Sequence, residues 1–361
     1  MKGSVLKKFD IWIPILLTAI FIIGIVLLQS SCSISPLPLA DKTFRQLCFF
    51  FIGIAVFVIF AVCDYDAIGR LAYPIAFVNI AILVIVLVAG HSEKGAQRWL
   101  SIGGLMFQPS EPTKLIVILA LARILANIQK LDRQTLYSIT FTVAVPWFLI
   151  FVQPDLGTSL VILFAAFVLL YLYGVKPWIL FSVICSGSLI GSLFLKDYQK
   201  ARLTVFMNPE SDLTGTGWNI AQSKIAIGSG GLWGKGIFGG TQTQLGFVPE
   251  NHTDFIFSVA GEELGFAGCI AMLVLYALLM WRFLVIIKSA KDRFGFFTGA
   301  GIFALIGFHI FVNMGMVMGI MPVVGIPLPF VSYGGSAFIS NMAALGIMES
   351  IYSRREMLFY H

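Results

Sequence analysis

The sequence predicts an all-α membrane protein, a bundle of about ten transmembrane helices with one large loop outside the membrane. Two features of composition predict this class: 58% of the 361 residues are hydrophobic, and only 12% are charged. Soluble domains usually carry about 25% charged residues. A bilayer accommodates this much apolar surface because its hydrocarbon core is itself the solvent. We therefore expect one membrane domain over residues 1–361.

The individual spans follow from runs of about 20 apolar residues, the length that crosses the hydrocarbon core. They are predicted at residues 11–30, 44–62, 72–90, 108–127, 137–152, 156–173, 178–195, 254–287, 296–320 and 336–351. The two runs that flank Gln153-Pro154-Asp155 are short, which leaves a re-entrant hairpin open as an alternative. The eighth run is long, so we expect it to tilt or to extend beyond the lipid.

The orientation follows from the distribution of Lys and Arg, which concentrate on the cytoplasmic side of membrane proteins. With the N-terminus and, after an even number of spans, the C-terminus in the cytoplasm, the inner side holds Lys2, Lys7, Lys8, Arg70, Arg123, Lys130, Arg133, Lys176, Arg282, Lys288, Lys291, Arg293, Arg354 and Arg355. The short outer loops hold only Lys42, Arg45, Lys94 and Arg98. Anchoring against anionic lipid explains the net charge of +6 better than nucleic-acid binding does.

Residues 196–253 form the only long hydrophilic segment and are predicted to be a large extracytoplasmic loop. Such loops are usually functional or disordered, and the tryptophans Trp218 and Trp233 argue for order. The apolar residues between Ile220 and Ile227 predict a short amphipathic helix. The GxGxxG pattern from Gly234 to Gly239 has no βαβ context, so we interpret it as a glycine-rich turn.

Ionisable residues at or inside a membrane are costly, and they indicate function by default. Glu111 and Lys114 are three residues apart on one helix face, where they can pair. Ser110 is predicted to cap this helix. A structural ion pair and a substrate contact both remain open for Glu111 and Lys114. Asp155 matches the N-cap of the sixth span, and capping is the slightly favoured interpretation over a site role.

Asp254 stands at the junction of the large loop and the eighth span. Thr253 is available to cap that helix, which leaves Asp254 facing the outer aqueous mouth, and we favour function for it. Glu262 and Glu263 follow about 12 Å along the same helix, and we favour a structural role for both. The stretch from Pro322 to Gly335 cannot continue a helix, so it is predicted to face the same outer cavity.

Four motifs, in order along the chain, resemble those of the SEDS family (shape, elongation, division and sporulation). They are Gln108-Pro109-Ser110-Glu111, Gln153-Pro154-Asp155-Leu156-Gly157-Thr158, the run from Gly228 to Gly265, and Pro327-Leu328-Pro329-Phe330-Val331-Ser332-Tyr333-Gly334-Gly335-Ser336. The sequence Gly240-Thr241-Gln242-Thr243-Gln244-Leu245 and the short tails resemble the elongation member more than the division member.

This resemblance implies a peptidoglycan glycosyltransferase of the cytoplasmic membrane that acts in cell elongation and cell shape. It implies polymerisation of lipid II, an undecaprenyl-pyrophosphoryl disaccharide-peptide, into glycan strands with release of undecaprenyl pyrophosphate. It also implies a class B penicillin-binding protein as transpeptidase partner, together with other membrane proteins of the elongation complex. A lipid II flippase or transporter and a non-catalytic scaffold of the wall machinery remain the alternatives.

The chemistry of such a transfer predicts the kinds of residue that the site requires. A pyrophosphate leaving group needs cations near it, and an attacking sugar hydroxyl needs a base on the opposite side. We expect Asp254 to be that base, or else a ligand of a divalent cation such as Mg²⁺ or Mn²⁺, with no organic cofactor. The predicted substrate-binding residues are Glu111, Lys114, Asp155, Arg202, Arg45, Lys94 and Arg98.

Overall fold

The computed structural model of the protein describes residues 9–33, 37–93, 96–102, 105–193, 204–206 and 216–355. Ten helices in these ranges are 17 or more residues long and correspond in order to the ten predicted spans: α1 (Trp12–Cys32), α2 (Asp41–Val62), α4 (Ala72–Ala89), α5 (Ser110–Asn127), α6 (Arg133–Val152), α7 (Leu156–Tyr173), α8 (Pro177–Leu193), α12 (Gly265–Lys288), α13 (Arg293–Val317) and α14 (Gly335–Ser353). Shorter helices are α3 (Tyr65–Arg70), α9 (Thr216–Ser229), α10 (Thr241–Gln244) and α11 (Ile256–Glu263).

Seven of the described helices are long and apolar enough to cross a membrane, namely α1, α2, α4, α6, α7, α12 and α13. Helix α5 is not among the seven because it carries three charged residues, Glu111, Lys114 and Arg123. Helix α8 is not among them because it has only 17 residues. Helix α14 is buried along most of its length, so its surroundings are protein rather than lipid. The predicted all-α membrane bundle is confirmed.

The bundle has two chemically different ends. The basic end holds the connections between α2 and α4, α5 and α6, α7 and α8, and α12 and α13. Ion pairs there join Arg123 to Asp66 at 2.8 Å and Arg282 to Asp10 at 2.5 Å. The loop end holds the connections between α1 and α2, α4 and α5, and α6 and α7, together with α9, α10 and α11.

Helices α6 and α7 are both long enough to span, so the alternative of a re-entrant hairpin is wrong. Helix α6 starts at Arg133, before the apolar run begins, because the carboxylate of Asp132 accepts the N–H of Thr135 at 2.8 Å and caps the helix. The turn between the two helices contains Pro154, whose φ is +25°.

The predicted continuous run over residues 254–287 is also wrong, because α11 ends at Glu263 and α12 begins at Gly265. Gly265 has φ +66°, which favours glycine. A β-carbon at Gly265 would collide with the backbone nitrogen of Gly234 in the large loop. The break therefore lets the glycine-rich turn of the loop approach the helix backbone directly.

Two elements between the spans position the loop end. The predicted amphipathic helix is confirmed as α9, which packs its buried face on the end of α13 through a hydrogen bond of 2.8 Å from Ser223 Oγ to the carbonyl of Val317. Three short antiparallel strands, which the sequence analysis did not predict, lie between α4 and α5: β1 (His91–Glu93), β2 (Ala96–Ile102) and β3 (Leu105–Phe107). Arg98 is part of β2 and therefore lies at the loop end.

An aromatic cluster joins α1, α2 and α14 in the core. The rings of Phe21 and Phe50 stack with centroids 4.1 Å apart, and Phe338 lies 5.5 Å from Phe21. Phe330, from the stretch between α13 and α14, packs edge-on against Phe338 at 6.1 Å. The core therefore fixes that non-helical stretch relative to three helices.

Close packing of α2 on α14 depends on Gly346, where a β-carbon would stand 2.6 Å from the carbonyl oxygen of Phe57. We expect Gly346→Leu to lower stability by about 1–3 kcal/mol through overpacking. Gly187→Leu on α8 is the matched control, because nothing lies within 4 Å of its β-carbon position. Thermal unfolding midpoints of the purified protein in detergent test this, and equal midpoints for the two variants would contradict the packing.

Candidate functional site

The candidate site is built around residues 322–334, a non-helical stretch between α13 and α14 that we call the irregular segment. Its three prolines prevent a helix, as predicted. The segment enters the bundle, since a β-carbon at Gly24, well inside α1, would stand 2.8 Å from the Cα of Val331. On the side of α7, a β-carbon at Gly157 would stand 2.8 Å from the carbonyl oxygen of Val324.

Side chains of the surrounding helices bind the carbonyl oxygens of the irregular segment. Asn313 Nδ2, Tyr276 Oη and His309 Nδ1 lie 2.7, 2.6 and 3.2 Å from three of the carbonyls within residues 326–329. Backbone polar groups away from water require such partners. These three side chains therefore make a non-helical backbone stable inside the bundle.

The same partners attach the turn that carries Asp254. Asn313 Nδ2 also donates to the carbonyl of Asp254 at 2.9 Å. Ser332 Oγ donates to the carbonyl of Thr253 at 2.6 Å and accepts the N–H of Leu328 at 2.8 Å. These contacts bring the irregular segment, which the sequence predicted to face the same cavity as Asp254, directly against the turn of Asp254 at the loop end.

The carboxylate of Asp254 lies over the backbone of Gly325. A β-carbon at Gly325 would stand 3.5 Å from Asp254 Oδ2, and Gly325 has φ +72°, a conformation that favours glycine. Asp254 is partly exposed. Thr253 does not cap the following helix, contrary to prediction: the N-cap is Phe255, and the hydroxyl of Thr253 binds Glu250 instead.

Glu111 and Lys114 form the predicted ion pair, with 2.9 Å between Lys114 Nζ and Glu111 Oε2. Both side chains are buried, with 5% and 2% exposure. Lys114 Nζ also lies 3.1 Å from His309 Nε2. One neutral tautomer of His309 satisfies both of its contacts, because Nδ1–H donates to the carbonyl of Pro327 while Nε2 accepts from Lys114. Through His309, the ion pair thus stabilises the irregular segment at the carbonyl of Pro327.

Asp155 caps α7 as predicted, since its carboxylate accepts the N–H and the hydroxyl of Thr158 at 3.1 and 3.0 Å. It also accepts hydrogen bonds from Gln108 Nε2 at 3.0 Å and from Ser110 Oγ at 3.4 Å. Ser110 is therefore not the cap of α5 that the sequence predicted, because its hydroxyl serves Asp155 and the N-cap is Pro109. Arg98 Nη1 lies 3.6 Å from Asp155 Oδ2.

The remaining predicted residues are placed as follows. Arg45 lies exposed on α2 and forms no ion pair within the described ranges. Lys94 and Arg202 lie outside the residues that the structure describes. The predicted substrate-binding set therefore does not converge on one point: Arg98 and Asp155 lie together, and Glu111 pairs with Lys114 inside the bundle.

Glu262 and Glu263 have structural roles, as predicted, and Glu262 pairs with a lysine of the large loop. Glu262 binds Lys235 Nζ at 2.8 Å and accepts the backbone N–H groups of residues 241–243 at 2.8 to 2.9 Å. Burial alone would raise the pKa of Glu262, but these hydrogen bonds lower it to about 2. Glu263 accepts a hydrogen bond from Ser30 of α1.

Sequence reasoning did not single out four residues of the site, namely Tyr276, His309, Asn313 and Ser332. A signal existed for two of them, since His309 and Asn313 are polar residues four positions apart in an apolar span and so share a helix face. Their partners were not predictable, because those partners are backbone atoms of a segment without regular structure.

The described residues contain no group of three or more His, Cys, Asp and Glu side chains that would hold a metal ion. The arrangement is chemically suited to accept a proton at Asp254 and to bind an anion near Arg98.

Comparisons with known proteins agree on one family. Residues 11–357 match the family model named for FtsW, RodA and SpoVE, described as a cell cycle protein. The chain is 45% identical over 285 residues to the peptidoglycan glycosyltransferase MrdB of Escherichia coli K12, covering 77% of each chain. It is 36% identical over 376 residues to the probable peptidoglycan glycosyltransferase FtsW of Trichlorobacter lovleyi, covering 96% of this chain and 93% of the relative.

Solved structures show the same fold. A chain from a peptidoglycan synthase complex that coordinates polymerization and crosslinking matches with TM-score 0.83 and 30% identity, covering 95% of this chain and 97% of the other. The rod shape determining protein RodA of Thermus thermophilus matches with TM-score 0.74 and 29% identity, covering 97% and 98%. Both matches extend over almost the whole chain.

The buried pair of Lys114 and Glu111 gives a testable consequence. We expect Lys114→Met to lower the free energy of unfolding by about 3–5 kcal/mol, because it leaves the Glu111 carboxylate buried without its cation. The double variant Glu111→Gln with Lys114→Met removes both charges and should recover most of that loss. Thermal unfolding of the two variants in detergent measures this, and equal losses would show that the unpaired charge of Glu111 does not cause the destabilisation.

Proposed function

We propose that this chain, which belongs to the FtsW/RodA/SpoVE family of cell cycle proteins, polymerises lipid II into glycan strands at the loop end of the bundle. It is a peptidoglycan glycosyltransferase of the RodA type and acts in cell elongation and cell shape. The single observation that supports the site is the clamped turn at Asp254. Hydrogen bonds from Asn313 of α13 and from Ser332 of the irregular segment hold the backbone carbonyls of Asp254 and Thr253, and the carboxylate of Asp254 lies over Gly325.

In the proposed reaction, Asp254 removes the proton from the attacking sugar hydroxyl. The hydroxyl oxygen then bonds to the anomeric carbon of the donor, and the bond from that carbon to the pyrophosphate oxygen breaks. A direct displacement of this kind inverts the anomeric centre and needs no covalent intermediate. Undecaprenyl pyrophosphate leaves with the bonding electron pair, and the proton stays on Asp254 until water removes it.

The leaving pyrophosphate requires positive charge beside it. Among the described residues, Arg98 fits this role because its side chain is 29% exposed and lies against the cap of α7. Lys114 is 2% exposed and engaged with Glu111 and His309, so it contributes its charge from inside the bundle unless that pair opens. Arg45, Lys94 and Arg202 remain proposed contacts.

A divalent cation, Mg²⁺ or Mn²⁺, is proposed as an accessory group. Asp254 would bind it together with the pyrophosphate oxygens, and the cation would neutralise charge on the leaving group. The base role and the ligand role of Asp254 both need an ionised carboxylate, so one substitution tests both. No organic cofactor is part of the proposal.

We place the protein in the cytoplasmic membrane with both termini inside and the loop end outside. The support is the concentration of Lys and Arg at the basic end, among them Arg123, Arg282 and Arg354. Lipid II then meets Asp254 at the outer leaflet. A class B penicillin-binding protein is the proposed transpeptidase partner, in keeping with the matching chain of a peptidoglycan synthase complex.

We expect Asp254→Asn to lower the rate of lipid II polymerisation by about 10²- to 10⁴-fold, the usual cost of losing a general base. The variant keeps the shape of the side chain and removes its charge. Asp132→Asn is the matched control, because Asn also caps helices and Asp132 caps α6 at the basic end. A purified-protein assay with lipid II measures both variants.

The same assay separates the competing functions. A flippase or a scaffold makes no polymer, so a wild-type protein that produces none would refute the proposed activity. Polymerisation by Asp254→Asn at nearly the wild-type rate would instead refute only the site, and Glu111 or Asp155 would become the next candidate.

The orientation is testable by labelling single cysteines with a membrane-impermeant maleimide in a cysteine-free background. We expect a cysteine at Gln242, at the loop end, to react in intact cells. A cysteine at the exposed Lys291, at the basic end, should react only after permeabilisation. The reverse pattern would overturn the proposed orientation.

A further inference from the structure

A cavity of about 520 Å³ opens at the loop end, on the side of α2. We call it the α2-side cavity. It is lined by Ser31, Cys32, Ala40, Asp41, Lys42, Thr243, Gln244, Gly246, Val248, Pro249, Glu250, Asn251 and His252. Its volume falls within the range of about 300–1,000 Å³ that is typical of small-molecule sites. None of the described residues that were assigned to the reaction above, namely Arg45, Arg98, Lys114 and Asp254, lines this cavity.

Buried side chains anchor each wall of the α2-side cavity. On one wall, Glu262 binds the backbone N–H and the hydroxyl of Thr243 at 2.9 and 2.8 Å. On the opposite wall, Gln29 Nε2 donates to the carbonyl of Pro38 at 3.2 Å, and Gln29 Oε1 accepts the N–H of Ala40 at 3.0 Å. Walls fixed in this way lose little freedom when a ligand binds.

Hydrogen bonds also connect the walls of the cavity to residues that lie beneath it in the bundle. Gln244 Nε2 donates to Ser30 Oγ at 3.1 Å, and Ser30 in turn donates to the buried Glu263. Asn251 Nδ2 donates to the carbonyl of Thr243 at 2.7 Å. The cavity is therefore a built feature of the fold and does not depend on one flexible side chain.

The polar lining of the cavity is mixed in character. Lys42 Nζ lies 2.9 Å from His252 Nε2, which accepts from the ammonium group while His252 Nδ1 faces Asn251 Oδ1 at 3.4 Å. The carboxylates of Asp41 and Glu250 lie in the same lining. Because the lining holds the two carboxylates of Asp41 and Glu250 and one lysine, Lys42, it disfavours an anionic ligand. It favours a neutral ligand with many hydroxyl and amide groups, because both donors and acceptors are present.

Separate contacts connect Asp254 with the α2-side cavity and with the Arg98 region. His252 is two residues from Asp254, and its carbonyl accepts the N–H of Tyr333 at 3.0 Å. On the other side, Asp254 lies over Gly325, which approaches Gly157 near the cap of α7. Asp254 is thus connected with the cationic Arg98 region and with a cavity whose lining suits a neutral polar ligand. This arrangement suits a transfer in which the pyrophosphate lies near Arg98 and the sugar units lie in the α2-side cavity.

We infer that the α2-side cavity binds N-acetylated sugar units of the glycan strand and retains the strand between successive transfers, with Lys42 and His252 as its main contacts. The inference rests on the proposed polymerase function. Retention determines product length, since the mean length reflects the rate of transfer relative to the rate of strand release. Weaker contacts mainly raise the rate of release.

The first test compares product lengths made from lipid II by the purified wild type and by Lys42→Gln, His252→Gln and the exposed basic-end control Lys130→Gln. We expect the first two variants to make strands about five- to tenfold shorter, the effect of losing one or two hydrogen bonds on release. Lys130→Gln should make strands of wild-type length, because Lys130 is exposed at the basic end, away from the cavity. Wild-type strand lengths in both cavity variants would overturn the inference, as would an equal loss in Lys130→Gln.

The second test does not depend on catalysis. Saturation-transfer NMR with tetra-N-acetylchitotetraose, a soluble N-acetylglucosamine oligomer, should show contact with the wild type and with Asp254→Asn. The signal should weaken in the double variant Lys42→Gln with His252→Gln. Undiminished signal in that double variant would overturn the inference. Wild-type protein that binds the oligomer but makes no polymer would refute the proposed function and leave the sugar site standing.

Discussion

The structure depends on one constraint, the need to satisfy the backbone of the irregular segment inside a helix bundle. Residues 322–334 do not form a regular helix, although the N–H of Ser332 donates to the carbonyl of Leu328, and a bilayer offers no water to replace the missing helical bonds. Partners come from α12, α13 and the segment itself, through Tyr276, His309, Asn313 and Ser332. Close approach of helix backbones at Gly24 and Gly157 completes the enclosure.

This constraint also fixes the site. Asn313 binds the carbonyls of Ile326 and Asp254 with one amide group, so α13 holds both the irregular segment and the turn of Asp254. Ser332 does the same with its hydroxyl between Leu328 and Thr253. The carboxylate of Asp254 is therefore placed by groups that the irregular backbone already requires. A reacting group held on rigid surroundings in this way loses little freedom in the transition state.

The sequence predicted those features whose causes are local. The prolines of the irregular segment, the capping of α7 by Asp155 and the three-residue spacing of Glu111 and Lys114 all act within a few residues. The predicted caps Ser110 and Thr253 failed because each hydroxyl found another partner, which for Ser110 lies 45 residues away. The break between α11 and α12 could not be predicted either, because it depends on a contact between Gly265 and Gly234 in the large loop.

The buried ion pair of Glu111 and Lys114 is best explained by the way it positions neighbouring groups, and not by a contribution to the free energy of unfolding. Desolvation of two charges commonly outweighs their attraction, and apolar residues of similar volume often stabilise a protein equally well. Lys114, however, donates to His309 Nε2, and that contact selects the tautomer whose Nδ1–H binds the carbonyl of Pro327. An apolar residue at position 114 would leave His309 free to adopt the other tautomer, which has no proton to offer that carbonyl. The charge inside α5 thus maintains a hydrogen bond of the irregular segment, and through that segment the placement of Asp254.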